Sequence, residues 1–227
     1  MKPSPTLEVG GFTPLSTTDW PGRLAAVVFV QGCPWACGYC HNPELRPRCA
    51  SRGPSWPEVL ETLTRRVGLL DGVVFSGGEP TLDPGLGAAI EQTRTLGFQI
   101  GLHTAGIYPE RLARLLPQID WVGLDLKTEF GDYDEVTGRR GSATAARRAL
   151  ELLLASGIAH ELRTTYDPAL VSDEALRSLA RLIKSAGARD WVIQRCRSAE
   201  GVDKPLPKEA LLQALRRELP ELSLRAV

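Results

Sequence analysis

The chain has 227 residues, of which 43% are hydrophobic and 24% charged, with 27 Lys+Arg balanced by 27 Asp+Glu. A chain of this length buries about 70% of its extended surface, so it can build a core without disulfide or metal staples, and the composition excludes a disordered protein. Zero net charge gives no electrostatic case for nucleic acid or a membrane surface, and apolar runs such as 24–30 are too short to span a bilayer.

Residues 1–6 lack the apolar stretch of a secretory signal, so the sequence reads as that of a cytoplasmic protein. From residue 24 onward short apolar runs alternate with helix-like stretches. The first strand candidate is 24–30, followed by a Cys-rich loop and then by Ser55-Trp56-Pro57-Glu58, which reads as an N-cap opening a helix over 55–70. Further strands are expected at 72–75, 98–103, 121–126, 160–165 and 191–194, and further helices at 84–96, 109–115, 142–156, 172–186 and 207–218. Most of these strands are continuously apolar, as in parallel sheets covered on both faces. Gly97, Gly157 and Gly187 stand where helices end in left-handed caps. Six strand–helix repeats imply a parallel α/β sheet with right-handed crossovers, which an open sheet and a partial barrel satisfy equally. We expect a single domain over 1–227, with its core at about 22–195 and a helical extension at about 205–220, and chemistry at the carboxyl ends of the strands.

Cysteine usage is the informative oddity. There are five, and three of them (Cys33, Cys37 and Cys40) fall within eight residues directly after the first strand. Such crowding in a reducing compartment points to metal or redox chemistry. Cys37-Gly38-Tyr39-Cys40-His41 formally matches covalent haem attachment, but that reading leaves Cys33 unused and offers only Met1 as an axial methionine. A dithiol redox pair also leaves Cys33 without a role. Zinc could take three thiolates plus His41, although a chain with this core does not require a structural metal. The remaining reading is an iron–sulfur cluster with three protein ligands, whose fourth iron is open to a non-protein ligand.

The spacing Cys-x3-Cys-x2-Cys, with Tyr39 before the last Cys, resembles the signature of the radical S-adenosylmethionine (SAM) superfamily. Ser76-Gly77-Gly78-Glu79-Pro80 resembles its GGE motif, in which glycines allow close backbone approach and a carboxylate can accept hydrogen bonds from an ammonium group. Within the superfamily, four segments resemble the glycyl-radical activating enzymes, most closely the activating protein of anaerobic ribonucleoside-triphosphate reductase. They are Ser16-Thr17-Thr18-Asp19-Trp20-Pro21-Gly22, the run from Cys37 to Leu45, Tyr133-Asp134-Glu135-Val136-Thr137-Gly138, and Glu161-Leu162-Arg163-Thr164-Thr165.

The resemblance implies a partial (β/α)6 TIM-like barrel. It implies that Cys33, Cys37 and Cys40 bind a 4Fe–4S cluster whose open iron chelates SAM. Gly77, Gly78 and Glu79 would hold the SAM amino group, and Tyr39 would pack near the adenine. Thr104, Asp125, Lys127 and Arg163 would lie around the rest of the nucleotide. Asp19 would contact the substrate, with His41 beside the cluster on the substrate side. Reductive cleavage of SAM would give a 5′-deoxyadenosyl radical that takes a hydrogen atom from a glycine of a partner enzyme, with a flavodoxin- or ferredoxin-type protein as electron donor. An activase of another glycyl-radical enzyme, of the pyruvate formate-lyase type, and a radical SAM enzyme acting on a small molecule are the alternatives within the class; a zinc-stabilised binding module is the alternative outside it. His103 stands where related activases often carry an aspartate, which puts a bound monovalent cation in doubt; it could instead hydrogen-bond SAM or fill space. Cys49 reads as an incidental thiol, and Cys196 is expected at the mouth of the site.

Overall fold

The computed structural model describes residues 6–48, 53–198 and 201–225. Cys49 lies outside them. Among the described residues eight strands form one sheet in strict chain order: β1 (Val9–Ser16), β2 (Ala25–Val30), β3 (Gly72–Gly77), β4 (Gln99–Thr104), β5 (Trp121–Asp125), β6 (Ala159–Tyr166), β7 (Trp191–Arg195) and β8 (Ser223–Arg225). The six expected strands are β2 to β7, and all pair in parallel. Two strands were not expected. β1 pairs antiparallel with β2, and β8 adds in parallel to β7, so a short strand follows the C-terminal helix.

Chain order decides between the two architectures. A doubly wound open sheet reverses its strand order at a switch point, and this one never does. Right-handed crossovers that all step the same way put every helix on one face, and the sheet curls around the other. No pairing joins β1 to β8 among the described residues, so the barrel is partial.

The helices are α1 (Trp56–Thr64), α2 (Leu86–Thr95), α3 (Pro109–Leu115), α4 (Tyr133–Thr137), α5 (Ser142–Ser156), α6 (Asp173–Ser185) and α7 (Glu209–Glu218). α1 opens on a capping box, with the Glu58 carboxylate accepting from Ser55 N and Oγ at 2.7 Å. It stops at Thr64, short of the expected 70, because the chain turns through Gly68 at φ 79° and leaves Val67 and Leu69 exposed.

Strand residues alternate between two environments. Val28, Phe75, Leu102, Leu124 and Ile193 face outward into the main core beneath the helices, where they meet Leu86 and Ile90 of α2 and Leu176 and Ile183 of α6. The opposite parity lines the barrel. Its lower half is apolar: Trp20 stacks on Trp121 at 5.7 Å, with Ala25, Val27 and Val74 around them. A Cβ at Gly101 would lie 3.0 Å from the Trp20 ring, so the missing side chain is what admits the indole. The upper half of the interior is polar and opens at the carboxyl ends of the strands.

Candidate active site

The loop after β2 carries the three cysteines and is tied down by backbone bonds on both sides. Gly32 N donates to Leu45 O at 2.7 Å and Cys33 N to Arg46 O at 3.0 Å. On the far side Ala36 N donates to Thr137 O and Gly38 N to Val136 O, which seats the loop on α4. The motif after β3 closes from above: Glu79 N donates to Gly32 O at 2.8 Å, and a Cβ at Gly78 would sit 2.2 Å from that same oxygen. Only glycine permits this approach.

Cys33, Cys37 and Cys40 are half-buried free thiols lining one cavity of about 220 Å³ at the top of the barrel. Burial pushes the Cys33 thiol up to about 11 and raises Cys37, the latter opposed by the Lys127 ammonium. Without a ligand the Cys33 and Cys37 thiols are therefore held protonated, and metal must displace those protons to bind.

Asp125, at the end of β5, gathers two cations. Arg163 Nε donates to Oδ1 at 2.8 Å and Lys127 Nζ to Oδ2 at 3.0 Å. Burial opposes ionisation, but Arg163 and then Lys127 hold the Asp125 carboxyl well below the usual carboxylate range. Two tyrosines brace the trio. Tyr39 donates to Lys127 O at 3.2 Å with Lys127 Nζ 5.9 Å from its ring, and the buried Tyr133 hydroxyl accepts from Lys127 N at 3.0 Å.

Tyr39, Gly77, Gly78, Thr104, Asp125, Lys127, Arg163, Asp19 and His41 all line the same cavity as the cysteines. Glu79 does not. It is fully buried, and its carboxylate accepts from Thr81 N at 3.1 Å, from the Thr81 and Thr104 hydroxyls, and from Ala105 N at 3.0 Å. In this arrangement the carboxylate braces the loop after β3 to the loop after β4. Burial raises the Glu79 pKa, and these donors only partly offset it. Cys196 is corrected: it is 1% exposed, belongs to the main core and does not line the cavity. His103 does line it, but both ring nitrogens are already bonded within the protein.

The sequence reading missed Arg46, Ser76, Thr165 and Gln194, which also line the cavity. For the last three, parity was the available signal: Ser76 lies two residues past Val74, and Thr165 pairs with Gln194 at the interior level above Arg163. Arg46 carries a buried Nε with no hydrogen-bond partner. Arg46 itself lines the cavity, and its guanidinium charge fits an anionic occupant such as an amino-acid carboxylate. No group of three His, Cys, Asp or Glu converges as a single-ion site among the described residues.

The radical SAM superfamily model matches residues 27–186. The chain belongs to the radical SAM superfamily. It is 30% identical over 221 residues to a Methanocaldococcus jannaschii protein provisionally named a glycyl-radical enzyme activating enzyme, covering 91% of this chain and 89% of that one. It is 32% identical over 179 residues to the pyruvate formate-lyase-activating enzyme of Clostridium pasteurianum, covering 75% and 74%. Streptococcus suis SuiB bound to S-adenosylmethionine superposes with a TM-score of 0.65 at 16% identity, over 99% of this chain and 51% of SuiB. At that identity the likeness shows the fold alone, and the chain spans about half the length of SuiB. The chain is therefore an enzyme of the glycyl-radical activating family, and its cofactors are a 4Fe–4S cluster and SAM. No helix among the described residues is long and apolar enough to cross a membrane.

Proposed function

We propose that this enzyme installs a glycyl radical on anaerobic ribonucleoside-triphosphate reductase in the cytoplasm, with a flavodoxin- or ferredoxin-type protein supplying the electron. One observation carries the site assignment: three otherwise unpaired cysteines and the Asp125–Lys127–Arg163 trio open into a single cavity at the carboxyl ends of the strands. Cys33, Cys37 and Cys40 hold the cluster. When bound, cluster and SAM together supply the reducing electron and the carbon radical that no side chain can provide.

The protein contributes placement and exclusion of water. Gly77 and Gly78 offer backbone at close range, Lys127 and Arg46 supply positive charge for the SAM carboxylate, and Asp125 keeps Lys127 and Arg163 fixed. Trp35, Tyr39 and Tyr133 close the wall behind the thiols. The choice of reductase over pyruvate formate-lyase rests on the four segments that resemble its activating protein. The zinc-module alternative is set aside on the family membership.

Anaerobic reconstitution with iron and sulfide should give a brown protein with about four irons per chain that cleaves SAM under a strong reductant. Electron paramagnetic resonance of mixtures with each candidate partner should then show a glycyl doublet with the anaerobic reductase. A doublet with pyruvate formate-lyase alone would move the assignment to that partner. Absence of 5′-deoxyadenosine from an iron-loaded enzyme would overturn the reading.

A further inference from the structure

His103 sits on β4 at the boundary between the apolar floor and the polar mouth, and both of its ring nitrogens are engaged. Nε2 lies 2.7 Å from the Asp19 carbonyl oxygen, which can only accept, so Nε2 carries the proton. Nδ1 is therefore the acceptor, and the Ser76 hydroxyl donates to it at 3.2 Å. Burial and the neighbouring Arg163 push the imidazole pKa down to about 3, so the ring stays neutral at working pH. The ring meets Trp121 edge-on at 5.6 Å. On the other side a Cβ at Gly123 would lie 3.1 Å from His103 Cδ2 and 2.9 Å from the Arg163 guanidinium carbon, so the bare backbone there leaves room for both.

The neighbours of His103 join it to one segment. Asp19 hangs from the ring by its carbonyl, and the next residue, Trp20, stacks on the same Trp121 that His103 touches. Residues 19 and 20 are thereby clamped at two points. Asp19 lines the cavity, and its carboxylate is steadied by the Ser16 hydroxyl.

We infer that His103 is a positioning residue for the macromolecular substrate. Through the Asp19 carbonyl it fixes the one acidic side chain of this segment at the cavity mouth, where a carboxylate can accept from the backbone N–H groups of an incoming extended polypeptide. It does not serve SAM, because neither ring nitrogen is free. The inference rests on the proposed activity and names the element of that same site which governs the polypeptide rather than the nucleotide.

The test uses the cluster-loaded enzyme and its glycyl-radical partner, with three readouts: SAM dissociation constant, SAM cleavage without partner, and KM for partner. His103→Ala should raise KM for the partner about tenfold, on the scale of one neutral hydrogen bond, with SAM binding and uncoupled cleavage within about twofold of the parent. His103→Gln, whose amide nitrogen can reach the Asp19 carbonyl, should recover most of the loss, and His103→Asn should not. Asp19→Ala should reproduce the KM rise, and the double variant should be no worse than either single one. Nitrogen NMR of the unsubstituted protein should show the Nε2–H tautomer, which keeps the inference testable even if His103→Ala fails to fold. An unchanged KM, additive double-variant losses, a parallel loss of SAM affinity, or an Nδ1–H tautomer would each overturn it. Failure of the unsubstituted enzyme to cleave SAM would instead overturn the proposed activity.

Discussion

Two carboxylates at the barrel mouth are held by opposite means. Asp125 is a quarter exposed at its side chain and bonded to two cations, whereas Glu79 is fully buried and bonded only to neutral hydroxyl and amide donors. The cations depress one pKa, and the neutral donors fail to prevent burial from raising the other. The difference separates roles. Asp125 organises charge that faces the cavity, and Glu79 fastens two loops together beside it.

The contrast can be broken most forcefully at Asp125. Asp125→Asn leaves Lys127 and Arg163 with uncompensated charge at 14% and 7% side-chain exposure. Removing one partner of a buried pair costs about 3–5 kcal/mol, so urea unfolding of the cofactor-free protein should show a loss of about 3 kcal/mol, with weaker SAM binding after loading. Glu79→Gln turns an amide donor toward Ala105 N–H or Thr81 and should cost about 1–3 kcal/mol, with the iron content retained. A loss of SAM affinity without a loss of stability would return Glu79 to the ligand.

The same pair predicts opposite pH signatures. The depressed Asp125 contributes stability that is present above the ordinary aspartate range, about pH 4, and lost on acidification. The gap between the parent protein and Asp125→Asn should therefore close as pH falls below that range. The raised Glu79 contributes stability that is present below the ordinary glutamate range and lost as pH rises through its folded value. The gap to Glu79→Gln should therefore narrow in the upward direction. Smallest of all, Arg65→Ala removes an ion pair to Glu61 whose side chains are 63% and 69% exposed, and should change stability by less than about 0.5 kcal/mol.

The six inner strands were legible because strands packed on both faces read as unbroken apolar runs. β1 was not, since Gly10, Gly11 and Pro14 are poor strand formers and its register shifts twice against β2. β8 spans three residues, too few for any periodicity to show. Most of the residues that the motifs named line one cavity. The site was opaque where tertiary packing assigned the job: nothing in Ser76-Gly77-Gly78-Glu79 announces that Thr104 and Ala105, some 25 residues on, will fold around its carboxylate. Cys196 misled because the chain leaves β7 at Arg195, so the inside–outside alternation of the strand no longer governs the next side chain.

The unclosed sheet has a cost that the chain answers at both margins. A free strand edge invites a second copy to extend the ladder. Here one border is interrupted by Pro14 and irregular pairing, while the other is very short and turns Arg225 inward onto Glu161 through two 2.7 Å bonds. The doorway can therefore stay wide enough for a bulky guest and still resist zippering into aggregates during purification and storage.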